Sequence, residues 1–184
     1  MEQLNPAARR DQFGSKINRD HSPILAYGVP WLAILFASMS PMLPIIASAP
    51  ILPPLGYIFL LAWRVLRPGL LPIWAGLPLG LFDDLFSGQP LGSGILLFSV
   101  TMIALDLIEA RFPWRGFWQD WAVASLFLSG YLVLAAFFSG AGITPIQLPI
   151  ILPQLGLSVL LFPLVAQLVS LLDRFRLTRV RKLG

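Results

Sequence analysis

Residues 80–92 of this chain read GLFDDLFSGQPLG, and they lie between two long apolar stretches. Two adjacent carboxylates, Asp83 and Asp84, end the first stretch, and the run SGQP separates it from the second. Gly and Pro in such a run mark a turn, and its shortness predicts an antiparallel hairpin. Ionisable groups beside hydrocarbon are costly, so both aspartates are candidate functional residues.

The composition of the whole chain is typical of an integral membrane protein. Of its 184 residues, 57% are hydrophobic and only 12% are charged, whereas a soluble domain has about 25% charged residues. There is no cysteine, which excludes disulfides and cysteine-based metal sites. We attribute the net charge of +4 to loops that face anionic membrane lipid, and we expect no nucleic-acid partner.

The hydropathy pattern predicts an all-α transmembrane domain over residues 24–172. A polar N-terminal segment, residues 1–23, precedes it, and a basic C-terminal tail, residues 173–184, follows it. A membrane-spanning helix needs about 20 residues, so some of the predicted spans are short, and the 17 prolines predict that some are bent. The six predicted segments are Ile24–Ile46, Ile51–Leu66, Gly69–Phe86, Leu91–Ile108, Trp118–Phe138 and Ile146–Leu172.

The 13 basic residues predict the orientation of these segments. They precede the first segment, follow the last one, and otherwise occur only in the second and fourth connections. Six spans with both termini in the cytoplasm therefore place every basic residue on the cytoplasmic side, which satisfies the positive-inside rule. The basic residues are Arg9, Arg10, Lys16 and Arg19; Arg64 and Arg67; Arg111 and Arg115; and Arg174, Arg176, Arg179, Arg181 and Lys182.

The two aspartates are expected to face in different directions. Neighbouring residues point about 100° apart around a helix. Gly76 and Gly80 lie on the same helical face as Asp84, and a stripe of small residues allows a neighbouring helix to approach closely. We therefore expect Asp84 to face the bundle and Asp83 to face another helix or the aqueous boundary. The alternative is that both carboxylates only cap the helix or are solvated at the interface.

An enzymatic role for the aspartates is disfavoured. A pair of aspartates can hold Mg²⁺ against a diphosphate, but such a site needs basic residues for the phosphates. The predicted outer side of the membrane carries no Lys, Arg or His. We therefore expect no catalytic site, no metal and no cofactor.

The remaining polar groups have structural interpretations. Asp106 and Glu109 are one helical turn apart, and with nearby arginines they indicate a solvated helix end with weak ion pairs. Arg64 is expected to lie within reach of this pair. Gln154 and Gln167 of the last segment, together with Ser158, are expected to make hydrogen bonds between helices.

Residues 80–92 resemble a motif of the MreD family of bacterial rod shape-determining proteins. The likeness lies in the fixed spacing of Gly80, Asp83, Asp84, Ser87, Gly88, Pro90 and Gly92, and in the Arg64 to Pro68 step that enters the third segment. It covers about residues 64–110, and the remaining likeness is one of hydropathy and size. The register of the alignment places the family aspartate on Asp84.

The resemblance implies a non-enzymatic scaffold subunit in the bacterial inner membrane. Such subunits belong to the cell-elongation complex, which supports peptidoglycan synthesis and rod shape. The implied partners are an MreC-like protein and, beyond it, RodA, its transpeptidase partner and MreB, together with membrane lipid. The implied fold is similar to that of the substrate-binding subunits of energy-coupling-factor transporters. The motif residues would then be structural or partner-contact residues.

That implied fold also leaves an alternative function open, the substrate-binding subunit of a vitamin-type transporter. Fold likeness is weak evidence for function, and a substrate site needs a concave pocket with convergent polar groups. The candidate groups in this sequence are Asp83, Asp84, Gln89 and Gln154.

Overall fold

The structure is a computed structural model. It describes residues 19–21, 23–42, 52–112, 116–140, 148–177 and 179–181. Helices account for most of this part of the chain, and one helix overlaps each predicted segment. They are α1 (Pro23–Ser38), α2 (Leu55–Leu66), α3 (Gly76–Ser87), α4 (Ser93–Arg111), α5 (Phe117–Phe138) and α6 (Leu148–Arg176), with short 3₁₀ turns at Ser40–Met42 and Ile73–Ala75.

The helices have the length and hydropathy of a helical membrane protein. Four stretches are long and apolar enough to cross a membrane: Leu25–Met42, Ser93–Arg111, Phe117–Phe138 and Ile151–Arg176. In contrast, α2 and α3 have 12 residues each. A helix of that length is about 18 Å long, which is less than the ~30 Å of a hydrocarbon core.

Several predicted boundaries differ from the observed ones; α1 ends at Ser38, α2 begins at Leu55 and α4 continues to Arg111. The third segment was expected to be helical from Gly69, but α3 begins only at Gly76. Gly69 takes a left-handed φ of 77°, and prolines at 68 and 72 disfavour a helix there. At the other end of the chain, α6 continues to Arg176, into the predicted basic tail. Residues 43–46 of the first predicted segment lie outside the described residues.

A short antiparallel ribbon joins the two ends of the chain. Strand β1 (Arg19–His21) pairs with β2 (Arg179–Arg181), and Arg19 is opposite Arg181. The sequence did not predict this pairing, since both stretches were interpreted as polar tails. The pairing brings the residues before α1 next to the residues after α6.

The short helix α2 is the centre of the bundle. Six apolar side chains, which point to all sides of α2, are at most 1% exposed. They are Tyr57, Ile58, Leu60, Leu61, Ala62 and Trp63. Helices α1, α4, α5 and α6 all pack against it. Because these neighbours surround α2, its apolar side chains are buried in protein.

Helices α3 and α4 pack more closely than the other helix pairs of the described residues, because glycines on α3 let the two backbones approach. A Cβ on Gly76 would lie 2.8 Å from Ser99 Cα, and one on Gly80 would lie 2.7 Å from Ile95 Cα. Backbone atoms cannot move aside as side chains do. The predicted small-residue stripe is therefore confirmed, and it allows the two backbones to touch.

The stripe predicts a clear contrast between two glycines. Gly80→Ala should lower the thermal unfolding midpoint in detergent, because the methyl group must push α4 away from α3. Overpacking of this kind costs about 1–3 kcal/mol. The matched control is Gly130→Ala in α5, where a Cβ has no neighbour within 4 Å and alanine favours a helix. Equal midpoints for the two variants would contradict the close packing.

Candidate functional site

The candidate site is the end of the bundle that contains the α3–α4 turn, which we call the motif end. The opposite end, where α2, α4 and α6 finish and α1 and α5 begin, is called the basic end. At the motif end Asp83 and Asp84 are 6% and 4% exposed, respectively. Both carboxylates are buried, but they face different helices, as the sequence predicted.

Asp84 caps the start of α4. Its Oδ2 accepts a hydrogen bond from the Gly92 N–H at 2.8 Å, and its Oδ1 accepts one from the Gly94 N–H at 2.7 Å. The N–H of Ile95 and the hydroxyl of Ser93 also lie 3.4 Å from the carboxylate. The first N–H groups of a helix lack intrahelical acceptors and carry partial positive charge. The Asp84 carboxylate, which lies on the neighbouring helix α3, accepts hydrogen bonds from these N–H groups, and its negative charge is favourable beside their partial positive charge.

Glycine gives the turn the backbone shape that this cap requires. Gly88 ends α3 with φ of 69°, and Gly92 precedes α4 with φ of 101°. Both angles are in the left-handed region, where a side chain is strained. Between them, the Pro90 carbonyl accepts a 2.8 Å hydrogen bond from the Ser93 hydroxyl, and the Ser87 hydroxyl accepts a 3.4 Å bond from the Gln89 N–H. Ser87, Gly88, Gln89, Pro90 and Gly92 therefore each have a local structural role in the turn.

Gln89 connects the turn to α5. Its side-chain oxygen lies 3.2 Å from the Ser93 hydroxyl, and its amide nitrogen donates to the Tyr131 hydroxyl at 3.3 Å. The ring of Tyr131 stacks on that of Tyr57 with a centroid distance of 4.1 Å. The Tyr57 hydroxyl in turn lies 2.8 Å from Thr101 Oγ1 on α4. Hydrogen bonds and one ring stack thus connect the turn with the buried middle of the bundle.

The sequence analysis missed Tyr57, Tyr131 and Thr101. One signal was available, because a tyrosine within an apolar segment needs a hydrogen-bond partner for its hydroxyl when it is buried. The partner could not be named, since Tyr57 and Thr101 are 44 residues apart in the chain.

Asp83 faces α1 and α2 instead of α4. Its Oδ1 and the Ser38 hydroxyl both lie against Gly56, and a Cβ on Gly56 would be 2.6 Å from Asp83 Oδ1. No cation is paired with Asp83 among the ion pairs of the described residues. Asp83 is thus a buried carboxyl group in a small polar contact, whereas Asp84 receives several N–H donors.

The basic end contains one ion cluster that the sequence predicted. Arg64 is 1% exposed, and its guanidinium lies 2.6 Å from Asp106 Oδ1 and 3.0 Å from Glu109 Oε2. The expected pairing of Arg64 with these acids is therefore confirmed. However, the arginine is buried beneath the acids and is not part of a fully solvated helix end.

A second cluster at the basic end was not predicted. Asp173 is 3% exposed and accepts hydrogen bonds from Arg67 Nε at 2.7 Å and from Arg176 Nε at 2.6 Å. Arg176 also donates to the Ala26 carbonyl of α1 at 3.2 Å. The cluster therefore joins α1, α2 and α6. The spacing of Asp173 and Arg176 on one helical face was a signal for an ion pair, but the contact with Arg67 spans 106 residues.

The predicted interhelical hydrogen bonds of α6 form in part. Gln154 donates from Nε2 to the Leu52 carbonyl at 2.7 Å, next to the start of α2. Ser158 instead donates to the Gln154 carbonyl of its own helix at 2.6 Å. Gln167 lies on the exposed face of α6. Within the described ranges, no group of three or more His, Cys, Asp or Glu side chains is placed to hold a metal ion.

Comparison of the chain with protein-family models, with curated proteins and with solved structures finds no match.

The two aspartates predict different responses to the same substitution. Asp84→Asn places an NH₂ group against backbone N–H donors that need an acceptor, and the charge that favours the start of α4 is lost. We expect a loss of about 1–3 kcal/mol, the usual cost of an unsatisfied buried donor. Asp83→Asn removes a charge that pairs with no cation of the described residues, and it should cost less. Unfolding midpoints in one detergent test this, and an equal or larger loss for Asp83→Asn would contradict the assignment.

The two acids at the basic end predict a similar contrast. Asp173→Asn leaves Arg67 and the buried Arg176 without their shared carboxylate, and breaking a buried ion pair typically costs about 3–5 kcal/mol. Asp106→Asn changes a side chain that is 48% exposed and leaves Glu109 beside Arg64. That change should cost at most about 1 kcal/mol. Unfolding midpoints in the same detergent test this contrast. Similar losses of stability for Asp173→Asn and Asp106→Asn would contradict the different roles of the two acids.

Proposed function

We propose that the chain is a non-enzymatic scaffold subunit of the bacterial cell-elongation complex, of the MreD type, in the inner membrane. Its partner would be an MreC-like protein, and through it RodA, the transpeptidase partner and MreB. The observation that carries the proposal is the motif at residues 80–92, whose spacing resembles that family. Asp84, Gly80, Gly88 and Gly92 form one structural unit there, so the matched positions act together in the hairpin.

The proposed topology has six crossings with both termini in the cytoplasm. Its support is that consecutive helices run in opposite directions, so that Arg64, Arg67, Arg111, Arg174 and Arg176 all lie at or next to the basic end. The ribbon of β1 and β2 supports an even number of crossings, because it joins the residues that flank α1 and α6. In this topology the short helices α2 and α3 cross with the help of their flanking residues.

The candidate residues of the alternative, a vitamin-binding transporter subunit, do not converge. Asp84 and Gln89 engage the turn, Asp83 faces α1 and α2, and Gln154 bonds to the Leu52 carbonyl. An apolar groove of about 790 Å³ runs along α1, and none of the four residues lines it. The scaffold is therefore the function we favour.

Co-purification from the native host tests the proposal. The tagged protein in mild detergent should recover an MreC-like protein together with the elongation synthase, identified by mass spectrometry. Recovery of an ATPase pair with a coupling membrane subunit would instead make the chain a transporter subunit and would overturn the proposal.

A variant at the turn connects the motif to this activity. Gly88→Leu puts a branched side chain at φ of 69°, so the turn should distort, recovery of the MreC-like protein should fall, and the gene should no longer restore rod shape to a deletion strain. Gly130→Leu on the exposed side of α5 is the control for insertion and expression, and it should behave as wild type. If Gly88→Leu fully restored rod shape, the motif would not be required for the proposed function.

A further inference from the structure

The ribbon of β1 and β2 has its basic residues on one face. Its facing pairs are Arg19–Arg181, Asp20–Val180 and His21–Arg179. Successive residues of a strand belong to opposite faces, and directly opposite residues of two paired strands belong to the same face. Positions 19, 21, 179 and 181 therefore form one face, which we call the basic face. It has three arginines and the one histidine of the chain, whereas the other face has Asp20 and Val180.

The basic face is unfavourable for the ribbon unless a negative charge is close to it. Like charges directly opposite each other destabilise paired strands, since their Cβ atoms are only about 4.5–5.5 Å apart. Each strand has 3 residues, and a ribbon of two short strands is at best marginally stable. The acids of α4 and α6 at the basic end already pair with Arg64, Arg67 and Arg176. An anion bound to the basic face would offset the repulsion between Arg19 and Arg181.

Short connections hold the ribbon beside the membrane. Strand β1 ends at His21, and the apolar span of α1 begins at Leu25. Strand β2 begins at Arg179, shortly after α6 ends at Arg176. Arg176 also donates a hydrogen bond to the Ala26 carbonyl of α1. Both strands therefore start from the same end of two apolar helices, at the boundary between their apolar and polar residues.

Aromatic side chains mark the same level of the bundle. Tyr27 is 64% exposed and Trp74 is 61% exposed, and both line one cavity together with Trp31. The rings of Trp31 and Trp74 are 5.6 Å apart between their centroids. Exposed tyrosine and tryptophan side chains are enriched where lipid headgroups meet the hydrocarbon core. The basic face is thus expected to lie at the level of the lipid headgroups.

Phosphate is the anion that fits this position. The guanidinium group of arginine matches the geometry of phosphate oxygens and can bind two of them at once. Clusters of basic residues next to a membrane span are typical of sites for anionic lipids. Free phosphate would have to be captured from water, whereas the phosphates of lipids are already concentrated at this level. The lipid is therefore the source of phosphate that the location favours.

We propose that the basic face of the ribbon binds the phosphate of an anionic phospholipid, and that the bound lipid holds β1 and β2 together. The two ends of the chain would then be joined only where the membrane supplies such a lipid. The proposal does not depend on the scaffold function. It requires only that α1 and α6 lie in the membrane.

A disulfide across the other face of the ribbon reports whether the strands are paired. The chain has no cysteine, so Asp20→Cys with Val180→Cys introduces a single pair at facing positions, within the range of a disulfide. The full chain is placed in nanodiscs of phosphatidylcholine, alone or with an equal part of phosphatidylglycerol, at one ionic strength. The disulfide yield after brief oxidation should be about threefold or more higher with phosphatidylglycerol, because bound phosphate offsets the repulsion.

Two further variants in this background separate the basic face from the general charge of the protein. Arg179→Gln with Arg181→Gln removes the facing charges, so the yield should no longer depend on phosphatidylglycerol. The matched control is Arg111→Gln with Arg174→Gln, which removes the same charge from exposed positions outside the ribbon. The control should keep the lipid dependence. If the control loses it as well, the attraction is diffuse and the assignment to the ribbon is wrong.

Free phosphate distinguishes the two sources of the ligand. Inorganic phosphate added to discs of phosphatidylcholine alone should leave the disulfide yield unchanged. A rise as large as that with phosphatidylglycerol would overturn the lipid as the ligand, and equal yields in the two lipid compositions would overturn the proposal as a whole. Co-purification tests the scaffold function separately, so either proposal can fail while the other stands.

Discussion

The Asp84 carboxylate at the start of α4 is the interaction on which the motif end depends. In a membrane the N–H groups at the start of a helix find little water, so an acceptor must come from the protein. Asp84 supplies it across the helix pair to Gly92 and Gly94. The bond is possible only because Gly80 allows α3 and α4 to touch. The turn is thereby fixed, and Gln89 then reaches Tyr131 of α5.

Different polar interactions hold the helices together at the two ends of the bundle. At the motif end a carboxylate receives backbone N–H donors, whereas at the basic end Arg64 and Arg67 of the α2 end meet acids on α4 and α6. Buried ion pairs contribute little net stability, but loss of one partner is costly. We therefore infer that these pairs fix which helices adjoin α2, while apolar packing of α2 supplies most of the stability.

The sequence predicted features that depend on neighbouring residues and missed those that depend on distant ones. The six helices, the hairpin, the glycine stripe, the direction of Asp84 and the pairing of Arg64 all follow from local spacing or charge. The helix start at Gly76 was placed too early because hydropathy ignores the two prolines and Gly69. The contacts Tyr57–Thr101 and Arg67–Asp173 could not be found, since in lipid both faces of a helix are apolar and periodicity does not reveal the neighbour.

The burial of the motif changes how its role should be understood. Asp84 is 4% exposed and its acceptor sites are engaged within the chain. A substitution there acts first on the hairpin, and any effect on a partner follows through the shape of the bundle. Direct contact requires accessible surface, and the motif offers it at Gly88, Pro90 and Leu91 of the turn. A scaffold of this design would thus keep its shape with one set of residues and bind with another.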